Sequence, residues 1–348
     1  MSIADVIGIG IVAPNGPSAR EAVFFTRAGR LLVRESPFVD RRGTPVGLAT
    51  VSALPDELLG PARLSALASV ALGECLRALP AGSAATLPLF LAVPGEPARA
   101  SAAGLGGPAQ DPGDRALLDD LSSASGGAVD GPRSMALRFG RAGGALALTV
   151  AASRLRQRQV PFVLVGGVDS HHDADRLDAL DDAKRLHAED VENGFLPGEG
   201  AAFLLLGPPG SAAPLARIHS VAVENEPRPL GSAEPCQGLA MTLAMQRALE
   251  DADLSRPIRV VSDIVEERHR VSEWLLASGR LVAFLGSSPE HEQPLLVTGD
   301  LGAASLPFLV AYVAGLFRAC AFEDAPRSVL VLGSSDGEER GAVLVTAP

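Results

Sequence analysis

Aromatic residues make up only 4% of this 348-residue chain. Its cysteines are three, Cys75, Cys236 and Cys320, widely spaced and without a CxxC pair. That excludes a disulfide framework and a cysteine zinc site, and it fits a reducing compartment. Positive charge is also scarce: the net charge is −11 and the arginines are interleaved with Asp and Glu. With no basic stripe to neutralise phosphates, nucleic acid is excluded as a partner. An acidic protein partner would need a local basic patch, which net charge does not forbid. Long unbroken apolar runs are missing too. The longest, Leu301–Phe317, is interrupted by Pro307 and by two glycines, and it reads as a buried helix rather than a membrane span. The start, MSIADVIGIG, lacks a basic n-region and a cleavage site. The expectation is a cytoplasmic protein with no membrane partner.

What is present suits a globular α/β protein. The composition is 47% hydrophobic and 20% charged, with 37 glycines and 27 prolines, which implies a small-residue core with close helix–sheet contacts. Buried strands are expected at Ala4–Val12, Leu87–Val93, Val160–Val165 and Ala201–Leu206, with a helix over Arg63–Leu79 ended by Pro80. The stretch Pro94–Pro132 turns to Gly, Ala, Ser, Pro and Asp and reads as a surface excursion, with a short helix near Leu117–Leu121. Gly207-Pro208-Pro209-Gly210 is the clearest punctuation, so two halves are expected, 1–207 and 211–348. In the second half, strands are read at Ala216–Glu224, Ile258–Val265, Leu281–Leu285 and Leu295–Thr298. Helices are read at Gln237–Asp251, Arg270–Ala277 and Leu306–Cys320, and a hairpin from Ser328–Leu332 and Ala342–Thr346. Strands alternating with helices imply buried sheets covered by helices.

The stretch Gly131–Asp169 organises the chain. It reads as a strand, a tight turn at Arg141-Ala142-Gly143-Gly144, a helix from about Gly143 to Arg156, and a buried strand containing Gly166-Gly167. A sharp strand-to-helix turn is a seat for a nucleophile, because the helix N-terminus favours an anion there. Arginine, alanine and glycine supply no nucleophile.

Three segments resemble the β-ketoacyl synthases: VIGIGIVAPNG at the start, FVLVGGVDS followed by NGFLPGEGAAFLLL, and GDLGAAS before a buried helix. The resemblance implies a thiolase-like five-layered α/β/α/β/α fold with two similar halves. It also implies decarboxylative Claisen condensation, in which a cysteine at the elbow carries the acyl chain and two histidines assist. Counting back from Gly166-Gly167, the cysteine position falls on Arg141. The first histidine position falls among Ser262, Asp263 and Ile264, and the second at Gly299 or Asp300. The family's late Gly-Phe-Gly gate is replaced by Gly333-Ser334-Ser335-Asp336-Gly337. No catalytic residue is assigned; Arg141, Asp263 and Asp300 are degenerate positions. An arginine held in the old cysteine seat requires a partner, and Asp263 or Asp300 is expected to bridge to it.

His171-His172-Asp173-Ala174-Asp175 reads as solvated surface, since adjacent histidines diverge and no second pair is near. His187, His219, His269 and His291 are isolated. Cys236, after Pro235 and opening a helix at Gln237, is conceivable as an alternative nucleophile with a lowered pKa. Glu199 is expected to be a buried acceptor. No metal and no cofactor is implied. The resemblance suggests a catalytically degenerate homologue acting as a chain-length-factor-like partner of an active ketosynthase. It would dimerise through the strand around Ser134–Phe139, and acyl carrier protein is a further partner. The alternatives are an acyltransferase or condensing enzyme with unconventional residues, or a homodimeric scaffold.

Overall fold

The computed structural model describes residues 2–80, 86–95, 111–253, 257–319 and 327–348; Cys320 lies outside them. Strand β1 (Ala4–Val12) leads to helix α1 (Ala19–Arg27) and a small hairpin of β2 (Arg34–Val39) and β3 (Pro45–Leu48). Helix α2 (Gly60–Leu76) precedes β4 (Leu89–Ala92), α3 (Pro112–Ala124), the short β5 (Met135–Leu137), α4 (Gly143–Arg156), β6 (Val163–Ser170), α5 (Ala174–Asp182) and β7 (Glu199–Gly207). The second half runs β8 (Ala216–Asn225), α6 (Leu239–Ala248), β9 (Ile258–Ser262), α7 (Arg268–Leu285), β10 (Glu290–Glu292) and the single turn α8 (Leu295–Thr298). It ends with α9 (Ser305–Arg318), β11 (Ser328–Ser334) and β12 (Glu339–Thr346).

The ten main strands follow the order β10-β9-β11-β12-β8-β1-β7-β6-β4-β5. That order is a palindrome. In the first half β5, β4 and β6 are parallel, while β6, β7 and β1 pair antiparallel. In the second half β10, β9 and β11 are parallel, while β11, β12 and β8 pair antiparallel. Among the described residues the two half-sheets pair where Ala4, Asp5 and Val6 of β1 lie against Ile218, Arg217 and Ala216 of β8. Helices α2 and α3 cover the outer face of the first half-sheet, and α6 and α7 that of the second. Helices α4 and α9 touch strands of both halves and form the central layer. The result is the expected five-layered arrangement.

Burial explains the patterns. All nine residues of β7 are buried, which is why it reads as a continuous apolar run rather than an alternating one. In α9 every residue from Ser305 to Ala314 is buried, as a helix enclosed between two sheets must be. Pro307 falls in its first turn, where the missing N–H is tolerated. No helix of the described residues is long and apolar enough to cross a membrane. Helices α4 and α9 approach closely because Gly144 has no side chain: a Cβ there would sit 2.5 Å from Pro307 Cδ.

Two expected strands are helical. Leu281–Leu285 continues α7, because Glu273, Ala277 and Leu281 repeat at i, i+4 on its buried face and the helix closes only at Gly286, with φ +74°. Leu295–Thr298 is a single turn between Pro294 and Gly299, the latter at φ +72°. Short apolar runs of this kind do not distinguish strand from helix. Helix α6 starts two residues later than expected because its cap, Gly238, is left-handed at φ +62°. Helix α3 extends beyond Leu117–Leu121, with the Asp111 carboxylate accepting from Gly113 N–H at 2.8 Å.

Candidate functional site

The two central helices begin alike. Each follows a three-residue 3-10 turn, Gly140–Ala142 before α4 and Gly302–Ala304 before α9. Each turn opens on a glycine in the left-handed region, Gly140 at φ +57° and Gly302 at φ +51°. Gly302 is also sterically compelled, since a Cβ would lie 1.9 Å from Asp169 Oδ2. Asp169, near the end of β6, accepts from Ala303 N–H at 2.8 Å and from Arg176. The positive ends of two helices therefore meet at the seat of Arg141.

Arg141 is 5% exposed. Its Nε donates to Asp300 Oδ1 at 2.9 Å, its Nη2 to Asp300 Oδ2, and its Nη1 to Asp336 Oδ1 at 3.1 Å. Asp300 is wholly buried and also accepts from Gly302 N–H at 2.9 Å. Burial opposes its charge, but the Arg141 guanidinium outweighs that and holds the carboxyl well below the usual carboxylate range. The expected Arg–Asp bridge is present, and it is bidentate. The partner is Asp300.

Asp263 is placed differently. Its Oδ2 accepts from Ser334 N–H at 2.7 Å and lies 3.8 Å from Arg270 Nη1. Its Oδ1 is buried without a hydrogen-bond partner among the described residues. Burial pushes its carboxyl up to about 6, against the pull of Arg270. The network continues through residues that the sequence did not single out. Arg185 Nε donates to Glu267 Oε1 at 2.7 Å and its Nη1 to Asp336 Oδ2 at 2.9 Å. Arg270 Nη2 donates to Asp336 Oδ1 at 2.6 Å and its Nε to Glu267 Oε2 at 3.1 Å. Arg141 and Arg185 both lie over the Phe195 ring, at 5.8 and 5.7 Å. Three guanidiniums thus meet Asp300, Asp336 and Glu267, with Asp263 as a fourth acid. The one signal available beforehand was Asp336, standing in the replaced gate segment.

Beside Arg141 a cavity of about 60 Å³ is lined by Gly95, Arg138, Phe139, Asp169 and Arg176 among others. That volume has room for no more than a few water molecules. The space between the helix N-termini is otherwise occupied by the Arg141 side chain and its acids.

Glu199 is the buried acceptor expected of it. It takes Val51 N–H at 2.8 Å, Ser170 Oγ–H at 2.7 Å, and Arg63 Nε and Nη2 at 2.6 and 2.8 Å. The histidine pair is not surface: His171 is 1% exposed and His172 2%. His171 Nδ1 pairs with Gly198 O at 2.9 Å and His172 Nε2 with Asp56 O at 2.9 Å. The rings do diverge, packing edge-on against Phe195 and Phe38 respectively, so they fill two gaps rather than face water. Burial, followed by Arg176, lowers His171 to about 4. Cys236 lies before Gly238, ahead of the first turn of α6, and burial with nearby Glu273 pushes its thiol up to about 11. A raised thiol pKa is the reverse of what a nucleophile needs. Cys236, Glu226 and Glu273 do stand together. Glu273, however, is held by Arg340 Nε at 2.6 Å and Glu226 by Ala240 N–H at 3.1 Å.

Residues 132–209 match the profile of the β-ketoacyl synthase N-terminal domain. Among proteins of curated function none matches the sequence. Solved structures of the same fold include a type II polyketide acyl-carrier protein in complex with its ketosynthase bound to the hexaketide (16% identity, TM-score 0.78, 99% of both chains). They also include the ishigamide ketosynthase/chain length factor (23%, 0.70, 99% of both chains) and a β-ketoacyl synthase from Burkholderia phymatum (16%, 0.73, 100% of both chains). The chain has the thiolase-like fold of the β-ketoacyl synthases, and residues 132–209 carry that family's N-terminal-domain signature.

Proposed function

We propose that this chain is a catalytically degenerate β-ketoacyl synthase homologue. It serves as a non-catalytic, chain-length-factor-like partner of an active ketosynthase in fatty acid or polyketide-type biosynthesis. The observation that carries the reading is Arg141: the side chain at the N-terminus of α4 is a buried guanidinium clamped by Asp300 and Asp336. A guanidinium stays protonated and cannot attack a thioester. On this reading Arg141, Asp263 and Asp300 stand at the degenerate positions of a cysteine and two histidines, Arg141 being plugged in place by Asp300 and Asp336, and no metal or cofactor is invoked. The two halves are taken as 1–207 and 211–348, and the setting as cytoplasmic. Among the described residues strand β5 is the last strand at one end of the sheet, which supports the reading of dimerisation through Ser134–Phe139. A chain length factor among the solved relatives supports the partner role, and a carrier-protein complex supports acyl carrier protein as a shared ligand.

The test is incubation with acyl-carrier and acyl-CoA thioesters followed by intact mass, alongside co-purification with a ketosynthase retaining Cys-His-His from the same host. No covalent adduct and a stoichiometric heterodimer are expected. An acyl adduct refutes the non-catalytic assignment, and recovery only as a tight homodimer refutes the partner role.

A further inference from the structure

The chain is strongly acidic, yet residues 20–42 carry six arginines against Glu21, Glu35 and Asp40. In this segment Arg20, Arg27, Arg30 and Arg34 are exposed and take part in no ion pair among the described residues. Interleaved with them are large exposed apolar side chains: Phe24 at 65%, Leu31 at 45%, Leu32 at 37% and Val33 at 46%. The spacing is ordered. Helix α1 buries Ala19, Ala22, Val23 and Thr26, which leaves Phe24 outward, with Arg20 one turn before it and Arg27 one turn after. The chain then turns at Gly29, φ +70°. Arg30 folds back onto the helix, its N–H donating to Phe25 O at 2.9 Å and its guanidinium lying 4.6 Å from the Phe25 ring centroid. Leu31–Val33 follow directly, bracketed in the chain by Arg30 and Arg34.

From these observations we propose that α1 and the following segment, residues 20–34, form a docking surface for an anionic lipid bilayer. The charge is complementary to such a surface and opposite in sign to the chain as a whole. The apolar side chains protrude, and none of them lines the cavity beside Arg141 or the one between Asp40 and Asp181. A partner helix needs a groove to lie in. Protruding Phe and Leu between arginines enter the headgroup–acyl boundary, while the guanidiniums stay at the phosphates. The contact is peripheral, with no span, and it departs from the expectation of no membrane partner, which rested on the lack of a long apolar run. It is independent of the proposed subunit role, so failure of either reading leaves the other standing.

The experiment is co-sedimentation of the full chain with vesicles of phosphatidylcholine alone or with ~30% phosphatidylglycerol, the range in which surface potential drives polybasic binding. Binding is expected only to the anionic vesicles and is lost at high salt. Arg27→Ser with Arg30→Ser lowers it by roughly 25-fold, about fivefold per arginine, and Phe24→Ser lowers it further. All three positions are exposed, and an unchanged melting temperature verifies folding. Equal binding to neutral vesicles, no binding, or binding unaffected by these substitutions overturns the proposal. So does a surface that ignores vesicles while the same substitutions abolish capture of acidic apo-acyl carrier protein, since the site would then belong to a protein partner.

Discussion

Replacing Arg141 by methionine tests the plug directly. The substitution keeps most of the side-chain volume and removes the guanidinium. Asp336 retains Arg185 and Arg270, so its loss is small. Asp300 keeps only the Gly302 N–H and becomes a wholly buried carboxylate with no bonded cation. Leaving one partner of a buried pair uncompensated costs about 3–5 kcal/mol. With an unfolding entropy of about 2.1 cal/mol/K per residue, 348 residues give about 0.73 kcal/mol/K, so the melting temperature falls by about 4–7 °C. The double variant Arg141→Met, Asp300→Asn removes both charges and keeps an acceptor for Gly302 N–H. It should return to within about 1 kcal/mol of the parent, because a buried ion pair offsets its own desolvation rather than adding much net stability. Calorimetry of the parent, both single variants and the double gives the coupling directly. If the Arg141→Met chain melts less than about 1.5 °C below the parent, or the double variant melts no higher than that single one, the clamp is not holding the buried charge and the reasoning fails.

Acidification provides a second test. His171, His269 and His291 are each lowered to about 4, chiefly by burial. The unfolded chain therefore binds protons first as pH falls below about 6.5, and the stability present above that pH is lost between about 6.5 and 4. Asp263, raised to about 6, works in the opposite direction over the same window. Asp263→Asn should therefore steepen the decline in melting temperature, and a flat or rising profile in that variant contradicts the assignment. For the pair beneath β7, Arg63→Ala strands the fully buried Glu199, at a cost of about 3–5 kcal/mol. Denaturant midpoints check this, and a loss under about 1 kcal/mol refutes a structural role. Gly302→Ala combines left-handed strain of about 1–2 kcal/mol with displacement of the Asp169 carboxylate. Gly140→Ala carries the same left-handed strain, at φ +57°, but meets only the Ser335 side chain, its Oγ at 3.3 Å. The first should melt clearly lower than the second, and equal losses would count against the Asp169 contact.

The elements most legible in the sequence were those buried on both faces. β1, β6, β7 and α9 read as near-continuous apolar runs because sheets cover helices and helices cover sheets. The NGFLPGEGA segment announced its strand through its apolar continuation, and the acceptor role of Glu199 through its likeness to the β-ketoacyl synthases. The empty nucleophile seat at Arg141 was equally visible, because chemistry depends on side-chain identity and arginine has no nucleophilic form.

What lay beyond the sequence was every decision made between distant segments. Asp263 and Asp300 were equal candidates to bridge Arg141, and only the meeting of the turns before α4 and α9 selects Asp300. Arg185, Glu267, Arg270 and Asp336 are scattered over about 150 residues and become one network only because the two half-sheets bring β11 and the loops near α5 and α7 to the same point. His171 and His172 carry a polar signature, and burial against Phe195 and Phe38 is a property of their surroundings. Leu281–Leu285 is apolar in either conformation, and the Gly286 cap together with its packing face made it helix. Local composition sets which residues must leave water and which chemistry is impossible. The partners those residues find depend on the closure of the chain, and that is decided in the tertiary structure.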